Sequence, residues 1–235
     1  KEERGYLASS RIRGHWLANY WLECDDFFYP VEFNQTSEEF FQPENQLRIL
    51  KDYDVVIFNK TYEWRLAKLL KENGKKVIVD CCDPDWLKSH SSCQRVRDCK
   101  QTIKYANAVV VNNNVMKKSL SNFIKKPIYI IPDRMDINWH KPQKKEHQEV
   151  MNYLVWYGYS ENLRVLEPYI QEILDMGYEI TIISDKSPSW ILYGDVQKQI
   201  TFKIWHPQTV NEQIIKADCV FVGKDKNDYL KKWKS

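Results

Sequence analysis

Three carboxylates within six residues form the densest group of reactive side chains in this sequence. Asp80, Asp83 and Asp85 stand in the run DCCDPDWLKSH, with Trp86 and His90 close behind. Carboxylates can grip hydroxyl groups, an indole face can stack on a sugar or a base, and an imidazole exchanges a proton near neutral pH. Asp83, Asp85 and His90 are therefore candidates for acid–base chemistry, and Trp86 for stacking. A plainer alternative stands beside this one: Asp83-Pro84-Asp85 also reads as a turn that caps a following helix. Three acidic groups could also hold a divalent cation, although magnesium sites commonly recruit substrate phosphates to complete their shell.

Two further groups merit the same scrutiny. Gly158-Tyr159-Ser160-Glu161-Asn162 follows the apolar run YLVWY and precedes an amphipathic stretch. A glycine at a strand-to-helix turn lets backbone N–H groups approach a diphosphate; a tight turn capped by Ser160 is the equal alternative. Neither G-x-G-x-x-G nor a P-loop occurs, which disfavours nicotinamide enzymes and P-loop nucleotidases. Near the start, Ser9, Ser10, Arg11 and Arg13 precede an apolar-faced helix. A guanidinium fork suits a phosphate or a carboxylate, but an arginine is more commonly a solvated surface group.

The cysteines give less. Cys24, Cys81, Cys82, Cys93, Cys99 and Cys219 show no regular framework, so reduced thiols are expected. Cys81, Cys82, His90, Cys93 and Cys99 lack the paired knuckles of structural zinc sites, and they read as small core or loop residues. Nucleophile elbows and H-E-x-x-H pairs are likewise missing, which removes the usual support for a hydrolase or a metalloprotease.

Positioning such groups requires a scaffold, and the hydrophobic pattern describes one. Short, nearly continuous apolar runs occur at 54–58, 76–80, 108–112 and 127–131, then at 153–157, 178–183, 200–204 and 218–222. Strands buried on both faces of a parallel sheet read this way. Helices are expected between them at 62–73, 114–123, 162–176 and 208–217, with Asn113 as an N-cap and Gly74 and Gly177 as stops. The charged, proline-bearing stretch 132–152 interrupts the rhythm and reads as a linker. The expected architecture is α/β, with two Rossmann-like lobes spanning 1–141 and 142–235. In such sheets ligands meet the carboxyl ends of the strands, where all the groups singled out after an apolar run would fall.

Composition sets outer bounds. An apolar fraction of 43% and a charged fraction of 29% suit a soluble globular protein. A net charge of +3 is too small to argue for nucleic acid as a partner. No apolar run approaches the length of a membrane span, and no charged-then-apolar leader opens the sequence at Lys1, so a cytoplasmic location is expected.

Four segments together resemble the GT-B-fold glycosyltransferases, in particular the large retaining group related to glycogen and sucrose synthases and bacterial polysaccharide transferases. SSRIRGHWLANYWL is similar to the opening Ser-x-Arg-x-Arg-Gly stretch. AVVVNNNVMKKSLSNF with IYIIPDRMDINWHKP is similar to the strand, helix, strand and I-P-N-G-V-D hinge, with Asp133-Arg134 in place of Asn-Gly. LVWYGYSENLRVLEPYI resembles the loop and helix that open the donor lobe, and ADCVFVGKDKNDYLKKWKS resembles the segment leading to the donor motif. The glycine-rich loop after the family's first strand has no counterpart. The family's pair of glutamates separated by seven residues has none either, since the last glutamate is Glu212. The resemblance therefore implies a chain cut short, with an incomplete second lobe.

What the resemblance implies about chemistry is transfer of a sugar from a nucleotide sugar, with retention and without a metal or other cofactor. Gly158, Tyr159 and Ser160 would lie near the diphosphate, Asp185 and His206 near the base and ribose, and Lys234 with Ser235 at the leaving group. Arg11, Arg13 and Trp86 would meet a glycan, lipid-linked or small-molecule acceptor, beside Asp83, Asp85 and His90. The KKWK end and the basic linker are compatible with peripheral membrane contact. Two other classes stay open: a non-catalytic relative serving as an interaction or regulatory protein, and a two-lobed small-molecule binding protein.

Overall fold

Every apolar run singled out above becomes a strand of one of two parallel sheets. The computed structural model describes residues 11–15, 17, 42–88, 91–134, 152–188, 199–206 and 209–222. They fall into two compact units, one whose described residues run to Arg134 and one whose described residues begin at Asn152. The expected boundary at 141/142 lies outside the described residues.

In the first unit, a short π-helical turn Arg11–His15 precedes α1 (Pro43–Ile49), β1 (Val55–Asn59), α2 (Trp64–Glu72), β2 (Lys76–Cys81), α3 (Cys93–Tyr105), β3 (Ala108–Val111), α4 (Asn114–Ser121) and β4 (Ile128–Ile130). The strands pair in parallel in the order β1-β2-β3-β4. The register sets Phe58 beside Val79, Val79 beside Val109 and Val109 beside Ile128. Period-two alternation thus gathers these side chains on one face, where they pack with Leu66, Leu70, Ile103, Met116 and Leu120 from the helices. Helix α2 stops where expected: Gly74 adopts φ 76, its N–H donates to the Lys71 carbonyl, and the Lys75 N–H reaches back to Leu70. That left-handed step is strained for a residue with a Cβ. Asn113 caps α4 by accepting from the Met116 N–H.

The second unit contains β5 (Tyr153–Tyr157), α5 (Ile170–Asp175), β6 (Glu179–Ser184), β7 (Ile200–Ile204), α6 (Val210–Lys216) and β8 (Cys219–Val220). Its order is β7-β6-β5-β8, again all parallel. Both faces are covered: Leu154, Trp156, Ile180 and Ile182 pack with α5, while Val155 and Ile183 pack with Val210 of α6. The single helix expected over 162–176 is broken instead. Two 3-10 segments, Ser160–Val165 and Glu167–Tyr169, precede a short α5. Pro168 explains the break, because it has no N–H for the carbonyl of residue 164 and its ring crowds that group.

Candidate functional site

The carboxyl ends of β1 to β4 carry a dense polar network, and Arg13 spans it. Its Nε donates to Asp80 Oδ2 and its Nη2 to Asp80 Oδ1, both at 2.7 Å. Its Nη1 donates to the Ile131 carbonyl at 2.9 Å and to Asp133 Oδ1 at 2.7 Å. Burial alone would lower the guanidinium pKa, yet Asp80 and Asp133 together drive it above its ordinary value. Asn59 at the end of β1 donates its amide to Asp80 as well. Arg13, expected at an acceptor, is thus largely committed to tying β2 to β4, and its side chain is 6% exposed.

Lys60 is a residue that the sequence did not flag. It follows β1 in a left-handed conformation, φ 52, and its ammonium donates to Asp83 Oδ2 at 2.5 Å. A lysine at positive φ is uncommon and persists only where its surroundings hold it. Here its N–H donates to the Asp80 carbonyl while its side chain engages Asp83. Burial pulls its pKa down, but the Asp83 contact and neighbouring anions outweigh that, so it stays a fixed cation. Asn-Lys carries no local signal for this role; only the fold brings Lys60 to the ligand-facing edge.

Asp85 lies in a different setting. Its carboxylate accepts from Tyr62 Oη at 2.8 Å, Ser91 Oγ at 2.5 Å and Arg95 Nη2 at 2.8 Å. Burial would push its pKa up, but the hydrogen bonds from Arg95, Ser91 and Tyr62 hold it below the usual carboxylate range. The turn reading of Asp83-Pro84-Asp85 fits the backbone, where the Asp85 N–H donates to the Asp83 carbonyl. The following helix, however, is capped by Ser92. Trp86 is a correction: it is 1% exposed, packs in the core and donates its indole N–H to Ser119 Oγ. A ring buried on both faces has none to offer a sugar. His90 and the Arg11 side chain lie outside the described residues.

Two amide oxygens at this edge stand out. Asn59 Oδ1 and Asn112 Oδ1 are buried and find no hydrogen-bond partner among the described residues. Asn59 ends β1 and Asn112 follows β3, on either side of β2, and as acceptors they suit a water or a ligand hydroxyl. The cysteines behave as small residues: Cys81 and Cys99 are in the core. Among the described residues no group of three metal-ligating side chains gathers.

The second unit brings its expected residues together more openly. Its strand order reverses between β5 and β8, and the crevice at such a reversal is where parallel α/β sheets receive ligands. Gly158 follows β5. A Cβ there would meet the Trp156 ring at 3.1 Å, so the position is small because an indole lies against it. Asp185, just past β6, accepts from the Ser160 N–H at 2.7 Å and from Ser160 Oγ at 3.3 Å. The Ser160 N–H lowers the Asp185 pKa, and the Ser184 hydroxyl adds to this. This alters the diphosphate expectation, because the amide at Ser160 already has an anion from its own chain. Tyr159 and His206 are exposed, and the His206 carbonyl caps α6 by accepting from Val210. Lys234 and Ser235 lie outside the described residues.

No family model matches the sequence, and no curated protein matches it. Solved structures do resemble it in fold. HepE of Anabaena, determined in complex with UDP-glucose, superposes with a TM-score of 0.59 at 12% identity, over 86% of this chain and 62% of that one. A glycosyltransferase from Rickettsia africae gives 0.54 at 13%, over 87% and 61%. The catalytic domain of starch synthase IV from Arabidopsis thaliana, bound to ADP and acarbose, gives 0.52 at 10%, over 82% and 58%. The chain spans about three-fifths of the length of these structures. At such identities the likeness concerns architecture: this chain has the α/β fold of GT-B glycosyltransferases, with one Rossmann-like parallel sheet in each unit.

Proposed function

We propose that the chain is the greater part of a GT-B glycosyltransferase that moves a sugar from a nucleotide sugar to a glycan, lipid-linked or small-molecule acceptor, with retention. The observation that carries this reading is the reversal between β5 and β8, with Gly158, Ser160 and Asp185 at its carboxyl edge. An exposed carboxylate after the second strand of such a unit is well suited to accept from ribose hydroxyls. The fold neighbours determined with UDP-glucose or ADP support a nucleotide-sugar partner. In the reaction the anomeric carbon parts from the diphosphate oxygen and bonds to the acceptor oxygen, and the acceptor proton leaves to a base. Asp83 and His90 are the candidates to take it, while Lys234, with Ser235, would balance charge on the departing diphosphate. The retaining group, independence from metal, the lobe boundary at 141/142 and a cytoplasmic location with peripheral membrane contact belong to the same proposal.

A second reading has an observation of its own. Arg13, Asp83 and Asp85 all engage charged groups of their own chain, as in a relative that keeps the fold without the chemistry. Calorimetric titration with UDP-glucose and ADP-glucose, followed by an assay for donor hydrolysis, separates the two. Binding with turnover supports the transferase, binding without turnover supports the non-catalytic relative, and no binding of either sugar nucleotide argues against the donor-site assignment.

A further inference from the structure

At the carboxyl edge of the first unit most polar groups answer one another, and what is left over is of a single kind. The cations that bridge carboxylates there are matched: Arg13 by Asp80 and Asp133, Lys60 by Asp83, and Arg95 by Asp85. Against these pairs stand the two orphaned oxygens, Asn59 Oδ1 and Asn112 Oδ1. Their identity does not depend on which way each amide is turned. Asn59 Nδ2 donates to Asp80 Oδ2 at 2.9 Å, and Asn112 Nδ2 donates to the Cys82 carbonyl at 3.3 Å. Turning either amide over would set oxygen against oxygen, so in both cases the acceptor is the atom without a partner.

A buried carbonyl oxygen gives up its hydration and normally recovers a hydrogen bond in exchange. Two that do not, on one edge, leave that edge better satisfied with a donor bound than without. Both residues are half-buried with the oxygen as the enclosed atom, so a small side-chain movement opens it. The strands that carry them, β1 and β3, lie two spacings apart with β2 between, about 10 Å across the sheet, a distance that a disaccharide spans. Lys60, next to Asn59, keeps its left-handed φ of 52, and strain of that kind gathers at ligand-binding edges.

We infer that this edge binds an uncharged sugar whose hydroxyls donate to Asn59 Oδ1 and Asn112 Oδ1, and that these two asparagines select it over a sugar bearing a carboxylate or a phosphate. The inference rests on the transferase reading, which brings an acceptor to the first unit, and it narrows the class of that acceptor. Hydroxyls fit because they donate without carrying charge. An anionic group adds only acceptors: it would face the two oxygens and the carboxylates of Asp80, Asp83 and Asp133, while Arg13 and Lys60 are already engaged.

Side-chain amide NMR on the full chain, prepared with isotope-labelled asparagine and with the Asn59 and Asn112 signals assigned, tests this directly. Glucose, N-acetylglucosamine and maltose should move both signals. Glucuronate and glucose 6-phosphate should need concentrations at least about tenfold higher for the same response. Asn112→Leu should weaken the response at Asn59 about fivefold, the factor for one neutral hydrogen bond; the comparison of glucose with glucuronate needs no variant. Equal response to the two, or a response at Asn59 undiminished in Asn112→Leu, would overturn the inference. Binding and turnover of UDP-glucose with neither asparagine moved by a neutral sugar would overturn it too, and would leave the transferase reading intact. Movement by the neutral sugars alone, without sugar-nucleotide binding, would support it and count against that reading.

Discussion

The ligand-facing edges of the two units follow the same topological rule but differ in how their charges are met. In the first, charge answers charge within the chain: Arg13 holds Asp80 and Asp133, Lys60 holds Asp83, and Arg95 holds Asp85. In the second, Asp185 is exposed, and among the described residues its hydrogen bonds come from a backbone N–H and two serine hydroxyls, neutral donors rather than a cation. The first edge is therefore suited to fixing the backbone around a polar floor, and the second to meeting a ligand. Polar residues at strand ends are thus weak guides to binding until their partners are known.

The largest effect expected from breaking this difference is at Arg13. Arg13→Ala strands the Asp80 carboxylate, which is 6% exposed as a residue, and removing one partner of a buried pair typically costs about 3–5 kcal/mol. Urea unfolding should report that loss in the first unit. A loss below about 1 kcal/mol, the level of exposed pairs, would mean that the edge is not held by this contact.

Asp85 sharpens the comparison through pH. Its folded pKa lies below the ordinary value, so its contribution is fully present above the unfolded value of about 3.9 and is lost as pH falls through the lower folded value. Melting of the first unit should therefore weaken from about pH 4 downward. Asp85→Asn should cost about 2–3 kcal/mol at neutral pH and flatten that acid limb. An unchanged acid limb in the variant would assign the titration to another group.

These contrasts also explain what could be read in advance. The strands were legible because each is a short, nearly continuous apolar run, and all eight runs pair as parallel strands, although Val55, Ile57, Tyr129 and both residues of β8 are exposed. The helix over 162–176 was not, because apolar spacing outweighed Pro168 in the reading. At the site, Asp185 and Gly158 were accessible from their places after apolar runs. Lys60 and Arg95 were not, because their meaning comes from Asp83 and Asp85, which lie 23 and 10 residues away in sequence. Trp86 misled for a related reason: it follows a strand end in sequence, yet its ring turns into the core against Ser119.

Gly158 separates packing from ligand access in the second unit. Adding a methyl group there presses on the Trp156 ring at 3.1 Å, and overpacking of this kind costs about 1–2 kcal/mol. Gly158→Ala should lower thermal stability by that amount. Gly158→Ala combined with Trp156→Phe should recover part of it if the indole is the obstacle. A variant of full stability but poor sugar-nucleotide binding would instead make the glycine a ligand-access feature.

The smallest stability effect, and the most informative one, is expected at Asp185. Its carboxylate is exposed, so Asp185→Asn should alter stability by no more than about 0.5 kcal/mol, as surface substitutions usually do. Binding is a separate quantity. A carboxylate that accepts from ribose hydroxyls contributes through charge-assisted hydrogen bonds of about 1.5–3 kcal/mol each, so the same substitution should weaken sugar-nucleotide affinity roughly tenfold or more. The opposite sign is equally readable. If a diphosphate must displace Asp185 from the Ser160 N–H, removing the negative charge lowers that competition and strengthens binding. Paired calorimetric titrations of the parent and Asp185→Asn with UDP-glucose and with UDP decide between these outcomes. Weaker binding of both ligands makes Asp185 a ribose acceptor, and tighter binding makes it an internal stand-in for phosphate. Unchanged affinity for both would remove Asp185 from the donor site and, with it, the main contrast between the two edges.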